Sequence, residues 1–216
     1  MSWRLASRLS VITLALLVVL VVALFSFRNG SGGATTTPAS TSASNLQGTN
    51  LGSTPAPDFR LKDQYGNVIS LTQFKGKPVV LTFLYTHCPD VCPLTAEKIH
   101  TTMQSLGSSA QNVAVVAVSM DPKGDTAATT QNFASVHKLG NYFYYLIGTQ
   151  NELAPVWASY SVDAQAATSS GVVNHSSAIY VIDKQGDERA LFDNSFTPYE
   201  LASDLKILLR HGSNQA

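Results

Sequence analysis

Two cysteines with close spacing are the residues of this sequence that are most able to do chemistry. Cys88 and Cys92 are the only cysteines among 216 residues, and both lie in the hexapeptide CPDVCP at positions 88–93. Neighbouring thiols can form a disulfide, exchange disulfides with another protein, or bind a soft metal ion. A purely structural disulfide is the weakest interpretation, because closing so small a loop removes little chain entropy.

The residues around the pair predict a shaped loop. Pro89 and Pro93 directly follow the two cysteines, and a residue before proline is biased away from the right-handed helical conformation. We therefore expect both cysteines to lie in a loop that leads into a helix over 94–106. A helix N-terminus favours thiolate over thiol, and thiolate is both the nucleophile and the metal ligand.

Ligand number narrows the choice of metal. Two sulfur ligands suit Cu(I), Zn(II) or the iron of an iron–sulfur cluster. Structural zinc and iron–sulfur sites need four protein ligands, and the sequence has no further cysteine. Cu(I) accepts fewer ligands, so two thiolates and one imidazole would complete a site.

His175 is the favoured imidazole among five histidines. It precedes an apolar strand predicted at 178–182, whose start can lie beside the end of the strand predicted at 78–85. The cysteines emerge from the end of that strand. The alternative is an exposed loop histidine. His87 directly precedes Cys88, but in an extended segment its side chain would point to the opposite side.

Hydrophobic runs predict the elements that position these residues. Strands covered on both faces are expected at 78–85 and 112–120, since both segments are almost continuously apolar. The remaining predictions are two short strands around the turn at 66–67, helices at 125–136 and 152–160, a strand at 142–147, a hairpin over 177–192, and a helix that starts at Thr197. This order predicts an α/β domain with a mixed central sheet flanked by helices.

The N-terminal part of the sequence predicts a membrane anchor. Residues 11–27 carry no charge and as a helix, at about 1.5 Å per residue, are just long enough to cross a bilayer. Basic residues are concentrated before this segment, which puts residues 1–10 in the cytoplasm and the rest outside. Residues 28–56 are rich in small and polar residues and predict a flexible linker, so the folded domain is expected at 57–212.

Charge and location limit the possible functions. Basic and acidic residues both number 14, so the net charge is +0, and the chain lacks the basic surface that nucleic-acid binding needs. In the predicted location, on the outer side of the cell membrane, dithiols tend to oxidise. The cysteine pair must therefore be kept reduced or be held by a metal.

Three segments of the sequence resemble one protein family. They are FLYTHCPDVCP at 83–93, DPKGDT at 121–126 and the segment at 173–183 that contains Asn174, His175 and Ser176. Together they resemble the Sco/SenC family of membrane-anchored, thioredoxin-like copper proteins, which help to assemble the dinuclear copper centre of cytochrome c oxidase. The domain opening and the strand before Cys88 also look like those of peroxiredoxin relatives.

The resemblance implies copper ligands and partners. Copper would be bound by Cys88, Cys92 and His175, with Asp90 shaping the loop between the cysteines. The partners would be the copper-site subunit of the oxidase, a copper donor and a thiol reductant. Asp121 and Asp125 match two aspartates of the family, and turn formation and helix capping are at least as good roles for them as any part in copper transfer. Two departures stand out: Asn174 replaces an aspartate that family members often have, and the family varies at the position of His87.

Three functions follow, of which copper delivery by a metallochaperone is favoured over an enzymatic activity. The alternative is a thiol–disulfide oxidoreductase that reduces the cysteines of the oxidase copper site. A thioredoxin would have two residues between its cysteines and a cis-proline where Ser176 and Ser177 stand. A thiol peroxidase is the third possibility, but its relatives have threonine three residues before the reactive cysteine, where this sequence has Tyr85.

Overall fold

The computed structural model describes residue 20 and residues 46–162 and 178–210. The elements below all lie in the unit formed by residues 44–216. The strands are β1 (Thr49–Pro55), β2 (Arg60–Asp63), β3 (Val68–Ser70), β4 (Val79–Leu84), β5 (Ala114–Ser119), β6 (Phe143–Ile147), β7 (Ile179–Ile182) and β8 (Asp187–Phe192). The α-helices are α1 (Val91–Leu106), α2 (Ala127–Val136), α3 (Gln150–Ser159) and α4 (Pro198–Arg210), and short 3-10 helices cover Leu71–Phe74 and Gly107–Asn112.

The described strands form one mixed sheet in the order β1-β8-β7-β4-β5-β6-β2-β3. β4, β5 and β6 are parallel neighbours at its centre, and every residue of β4 and β5 is buried. The strands outside this core pair antiparallel. Because β4, β5 and β6 are parallel, the segments that follow them leave the sheet at one edge, and the cysteines lie there.

The predicted α/β domain with a mixed sheet is confirmed, as are the individual elements between residues 58 and 210. The opening hairpin is β2 and β3, and the later hairpin is β7 and β8. The start of α4 is the predicted cap: Glu200 accepts hydrogen bonds from the N–H and the hydroxyl of Thr197, and the Thr197 hydroxyl accepts one from the Glu200 N–H.

The predicted linker ends too late in the sequence. β1 occupies Thr49–Pro55 and pairs antiparallel with β8, so the sheet already includes residues assigned to a linker over 28–56. Composition misled here, because these residues are mostly small or polar and all but Leu51 are exposed. Main-chain pairing at a sheet edge needs little side-chain burial, and tertiary context supplies it.

The predicted membrane anchor at 11–27 lies outside the described residues, apart from Leu20. Among the residues that the structure describes, no helix is both long and apolar enough to span a bilayer.

Candidate functional site

Both cysteines lie where the chain passes from β4 into α1. A turn follows β4, closed by a hydrogen bond of 3.3 Å from the Cys88 N–H to the Tyr85 carbonyl oxygen. α1 begins at Val91, so Cys92 belongs to its first turn, and the prediction that both cysteines lie in a loop is wrong for Cys92. Pro93 fits this turn because the first N–H groups of a helix have no partner within the helix.

The two thiols contact each other and are shielded from solvent. Cys88 is 9 % exposed and Cys92 is completely buried, and both are free cysteines. The N–H of Cys92 donates a hydrogen bond to the Cys88 sulfur at 3.3 Å. The N-terminus of α1 therefore points a main-chain donor at the sulfur of Cys88.

This contact divides the pair into one acidic and one weakly acidic thiol. The Cys92 thiol donates to the Cys88 sulfur, as do the backbone of Asp90 and Cys92 and the side chain of Tyr85, and together they lower the pKa of Cys88 to about 5 against the cost of burial. Its role as donor to Cys88, together with burial, raises the pKa of Cys92 well above the ordinary value. At neutral pH the pair is a thiolate at Cys88 that shares the proton of Cys92.

A buried carboxylate lies behind the cysteine loop. Asp125 is 5 % exposed and accepts hydrogen bonds from the Thr86 N–H and hydroxyl, both at 2.8 Å. The Ser119 hydroxyl at 2.6 Å and the Tyr145 hydroxyl at 3.2 Å donate to its other oxygen. Burial raises the pKa of Asp125 despite these donors. Helix capping, one of the roles considered for Asp125, is performed instead by Thr126, whose hydroxyl accepts the N–H of Thr129.

The other aspartate of the same turn stabilises the turn itself. Asp121 accepts hydrogen bonds from the N–H groups of Lys123 and Gly124, at 3.1 and 3.0 Å. A Cβ at Gly124 would collide with the carboxylate of Asp121 and lie 3.0 Å from Nδ1 of His87, so a larger residue here would displace the Asp121 side chain that holds the turn. His87 is exposed, and its Nδ1 lies 3.2 Å from the Thr86 hydroxyl.

His175, the predicted third ligand, lies outside the described residues. The described chain resumes at Ala178, and the next residue, Ile179, pairs with Thr82 near the end of β4. The prediction that the start of this strand lies beside the end of the cysteine-bearing strand is therefore confirmed. Within the described ranges, no group of three or more histidine, cysteine or acidic residues is arranged to hold a metal ion.

Comparison with known proteins identifies the family to which this site belongs. The family model described as SCO1/SenC matches residues 47–210, which begin just before β1 and end with α4. The chain belongs to the SCO1/SenC family. One solved relative, BsSco, is described as a member of the Sco family of cytochrome c oxidase assembly proteins.

Individual relatives agree with the family assignment. The copper-bound structure of ScoI from Bradyrhizobium japonicum is 36% identical and superimposes with a TM-score of 0.64, covering 72% of this chain and 99% of that one. The mitochondrial SCO2 homolog of Bos taurus is 32% identical over 135 residues, which are 60% of this chain and 50% of that protein. The match thus spans half the length of this curated relative.

A similarity also exists to a different class of thiol protein. A protein of Oryza sativa subsp. indica that is assigned as a chloroplastic peroxiredoxin Q is 30% identical over 193 residues, covering 84% of this chain and 82% of that one. This similarity agrees with the peroxiredoxin-like features of the sequence. The family model and the copper-bound structure nevertheless assign the chain to the Sco proteins.

Asp125 has contacts that the sequence does not indicate. Turn formation, helix capping or a part in copper transfer are the roles that the sequence suggests, yet Asp125 contacts the segment that follows β4, the last residue of β5 and a side chain of β6. The one signal in the sequence is that Asp125 and Thr126 are adjacent candidates for a single cap. Only one of the two residues can cap the helix, so the other must have a different role.

Proposed function

We propose that this protein is a membrane-anchored copper chaperone whose domain binds one copper ion through Cys88, Cys92 and His175. It passes the ion to the subunit of cytochrome c oxidase that holds the dinuclear copper centre. The observation that carries the proposal is the hydrogen-bonded contact between the two cysteine sulfurs at the N-terminus of α1.

The paired thiols suit capture of a soft cation. Cys88 is already a thiolate at neutral pH, so it offers a ligand without first losing a proton. Cys92 carries the remaining proton, which bound copper displaces, because a metal ligates the thiolate form. Two sulfur ligands favour Cu(I) over the harder divalent ions.

The third ligand is supported by connectivity and strand pairing. His175 precedes Ala178 by three residues, and three residues span at most about 10 Å of extended chain. Ile179 pairs with Thr82, close to the point where the chain leaves β4 towards Cys88. The length of this connection would allow an imidazole at position 175 to reach towards the cysteine loop.

Transfer to the partner proceeds by ligand exchange. Cys88 retains some exposed surface whereas Cys92 has none, so the Cys88–copper bond is the one that an incoming thiolate reaches first. Replacement of Cys88 is followed by replacement of Cys92, which recovers its proton as the ion leaves. The predicted anchor at 11–27 would keep the domain at the outer face of the cell membrane, where it would meet the membrane-bound oxidase.

The same thiol pair favours thiol–disulfide exchange as a second function. The Cys88 thiolate attacks one sulfur of a target disulfide, forming a mixed disulfide and releasing the other sulfur as a thiolate. Cys92 then loses its proton and attacks Cys88, which releases the reduced target dithiol and leaves a Cys88–Cys92 disulfide. A thiol reductant must restore the pair, so this activity serves to prepare target cysteines for copper. Peroxidase activity is less favoured. Where thiol peroxidases have a threonine, three residues before the reactive cysteine, this protein has Tyr85, which is buried and hydrogen-bonded to the Cys88 sulfur.

A copper titration of the full-length protein in detergent tests the main proposal. The reduced protein is titrated with Cu(I) against a chromophoric chelator, beside variants Cys88→Ala, Cys92→Ala and His175→Ala. We expect one ion per chain, near-complete loss of binding without either cysteine, and a weaker site in His175→Ala that still forms the disulfide. Unchanged affinity in His175→Ala would remove that residue from the ligand set, and absence of binding by the unmodified protein would leave disulfide exchange as the better function.

A further inference from the structure

Asp125 lies at the edge of the sheet from which the cysteine loop emerges. Its hydrogen-bond donors come from three places: Thr86 follows β4, Ser119 ends β5, and Tyr145 lies in β6. Four donors converge on one carboxylate, which has the capacity to accept them all because each oxygen takes two hydrogen bonds. Such a group acts as a fixed point between three neighbouring strands.

Thr86 is the donor that connects this fixed point to the cysteines. It lies two residues before Cys88 and beyond the last residue of β4, where the ladder of the sheet no longer supplies acceptors for its N–H. The Asp125 carboxylate accepts this N–H and the Thr86 hydroxyl on the same oxygen, both at 2.8 Å. Backbone and side chain of Thr86 are therefore fixed by a single group.

The constraint extends to the residue next to Cys88. Because the Thr86 hydroxyl donates its proton to Asp125, it can only accept from Nδ1 of His87, which lies 3.2 Å away. The two residues before Cys88 are thus both oriented by the carboxylate. Beyond them, the turn that closes on the Tyr85 carbonyl directs the Cys88 sulfur to the N–H of Cys92.

We propose that Asp125 is a positioning residue of the cysteine site, whose carboxylate sets the path of the loop and thereby brings Cys88 against Cys92. The expected effect of Asp125 on copper affinity rests on the proposed function, whereas its expected effect on the contact between the two thiols does not. Asp125 touches neither copper nor the cysteine sulfurs in this role; it acts through Thr86.

Asparagine and alanine at position 125 separate positioning from the negative charge. Asp125→Asn retains an oxygen for the two donors of Thr86, and its amide nitrogen meets Ser119 and Tyr145, whose hydroxyls can accept as well as donate. Asp125→Ala removes every acceptor. Asp204 provides the matched control: it is also a buried carboxylate that holds two main-chain N–H groups, those of Gln47 and Gly48, at 2.7 and 3.1 Å.

The experiment compares the full-length protein with Asp125→Ala, Asp125→Asn and Asp204→Ala, each checked for folding by circular dichroism. Cu(I) affinity is measured by chelator competition, and the effective concentration of the two thiols by equilibrating the Cys88–Cys92 disulfide with glutathione. We expect Asp125→Ala to lose roughly 10–100-fold in copper affinity, as other residues that orient metal ligands do, and at least about tenfold in effective concentration. Asp125→Asn and Asp204→Ala should stay within about threefold of the unmodified protein in both measurements.

Each other result overturns the proposal. If Asp125→Ala has the copper affinity and effective thiol concentration of the unmodified protein, the cysteine loop adopts its conformation without Asp125. An equal loss in Asp125→Asn shows that charge, not positioning, is what matters, and an equal loss in Asp204→Ala shows a general effect of stability. If the unmodified protein binds no copper, the proposed function fails while the glutathione measurement still decides the role of Asp125.

Thr86→Val serves if Asp125→Ala does not fold. This variant removes the hydroxyl hydrogen bond to Asp125 but keeps the N–H hydrogen bond. The proposal requires a loss of at least about threefold in copper affinity and in effective thiol concentration. Unchanged values in this variant would contradict it.

Discussion

Two places in the sheet are each stabilised by a buried aspartate: the carboxyl ends of the central strands, where the cysteines lie (the cysteine edge), and the outer strand β1 (the β1 edge). The aspartates have different effects at the two places. At the cysteine edge, Asp125 accepts the N–H of Thr86 just beyond β4, and at the β1 edge Asp204 accepts the N–H groups of Gln47 and Gly48 just before β1. Both carboxylates are buried, and burial raises the pKa of each. In both places a side chain completes main-chain hydrogen bonding where the strand does not.

The difference lies in what each aspartate shares with its neighbours. Asp204 lies on α4, and its hydrogen bonds go to one short segment, so its effect is to keep β1 on the sheet. Asp125 is shared by the ends of β4 and β5 and by β6, and the segment that it fixes continues into the two thiols. A buried carboxylate therefore anchors structure at one edge and, at the other, positions groups that do chemistry.

The largest expected effect is a loss of copper affinity that occurs on mutation at the cysteine edge and not at the β1 edge. Cys92→Ala leaves one sulfur and removes the side-chain donor to Cys88, so we expect copper affinity to fall by more than about 100-fold, beyond the loss typical of residues outside the ligand set. Asp204→Ala should leave that affinity unchanged. Chelator competition measures both, and a Cys92→Ala protein that keeps its affinity within about tenfold would contradict the ligand assignment.

The next effect concerns stability at the β1 edge. Asp204→Ala leaves the N–H groups of Gln47 and Gly48 without their acceptor. Both hydrogen bonds are only partly buried, so at about 0.5–1.5 kcal/mol for each the free energy of unfolding should fall by roughly 1–3 kcal/mol. Denaturant unfolding followed by tryptophan fluorescence measures this change, and limited proteolysis should cut first within 46–55.

Ser53→Ala is the control for this variant. It removes only an exposed hydrogen bond between the same strand and the Asp187 carboxylate, so its effect should be within about 0.5 kcal/mol. An equally large loss in Ser53→Ala would mean that β1 is held by its whole length rather than at its start.

The third effect is the pH dependence of the two thiols in the reduced, metal-free protein. The pKa of Cys88 is lowered to about 5, so alkylation at Cys88 should stay near its maximum down to about pH 6 and fall as the pH drops through 5. The pKa of Cys92 is raised, so Cys92 should not react anywhere in the neutral range. Mass spectrometry of the alkylated peptides measures both, and preferential modification of Cys92 would reverse the assigned roles.

The smallest effect should come from Tyr145→Phe. This change removes one of the two donors to the Asp125 oxygen that does not contact Thr86, and it leaves both hydrogen bonds from Thr86 in place. We expect a loss of about 0.5–1.5 kcal/mol in the free energy of unfolding and no measurable change in copper affinity. A large loss of copper affinity would show that the whole network, not the contact with Thr86, sets the loop.

Sequence reasoning succeeded where a local pattern decides the structure. Continuous apolar runs gave the central strands, and the cap at Thr197 gave the start of α4. It failed at β1, because polar edge residues pair through their main chain without a hydrophobic pattern. It also placed the start of α1 too late, because the two prolines suggested a longer loop, whereas the first turn of a helix accepts Pro93.

The sequence by itself determined the chemistry that is available: two thiols with fixed spacing, a histidine before a buried strand, and motifs specific enough to indicate the family. These are properties of residue type and order along the chain. Only the tertiary structure decided which thiol carries the charge, because the pKa of each depends on the donors and the burial that folding creates around it. It also revealed the task of Asp125, since the four groups that share its carboxylate come from three segments far apart in sequence, and long-range proximity has no local signature.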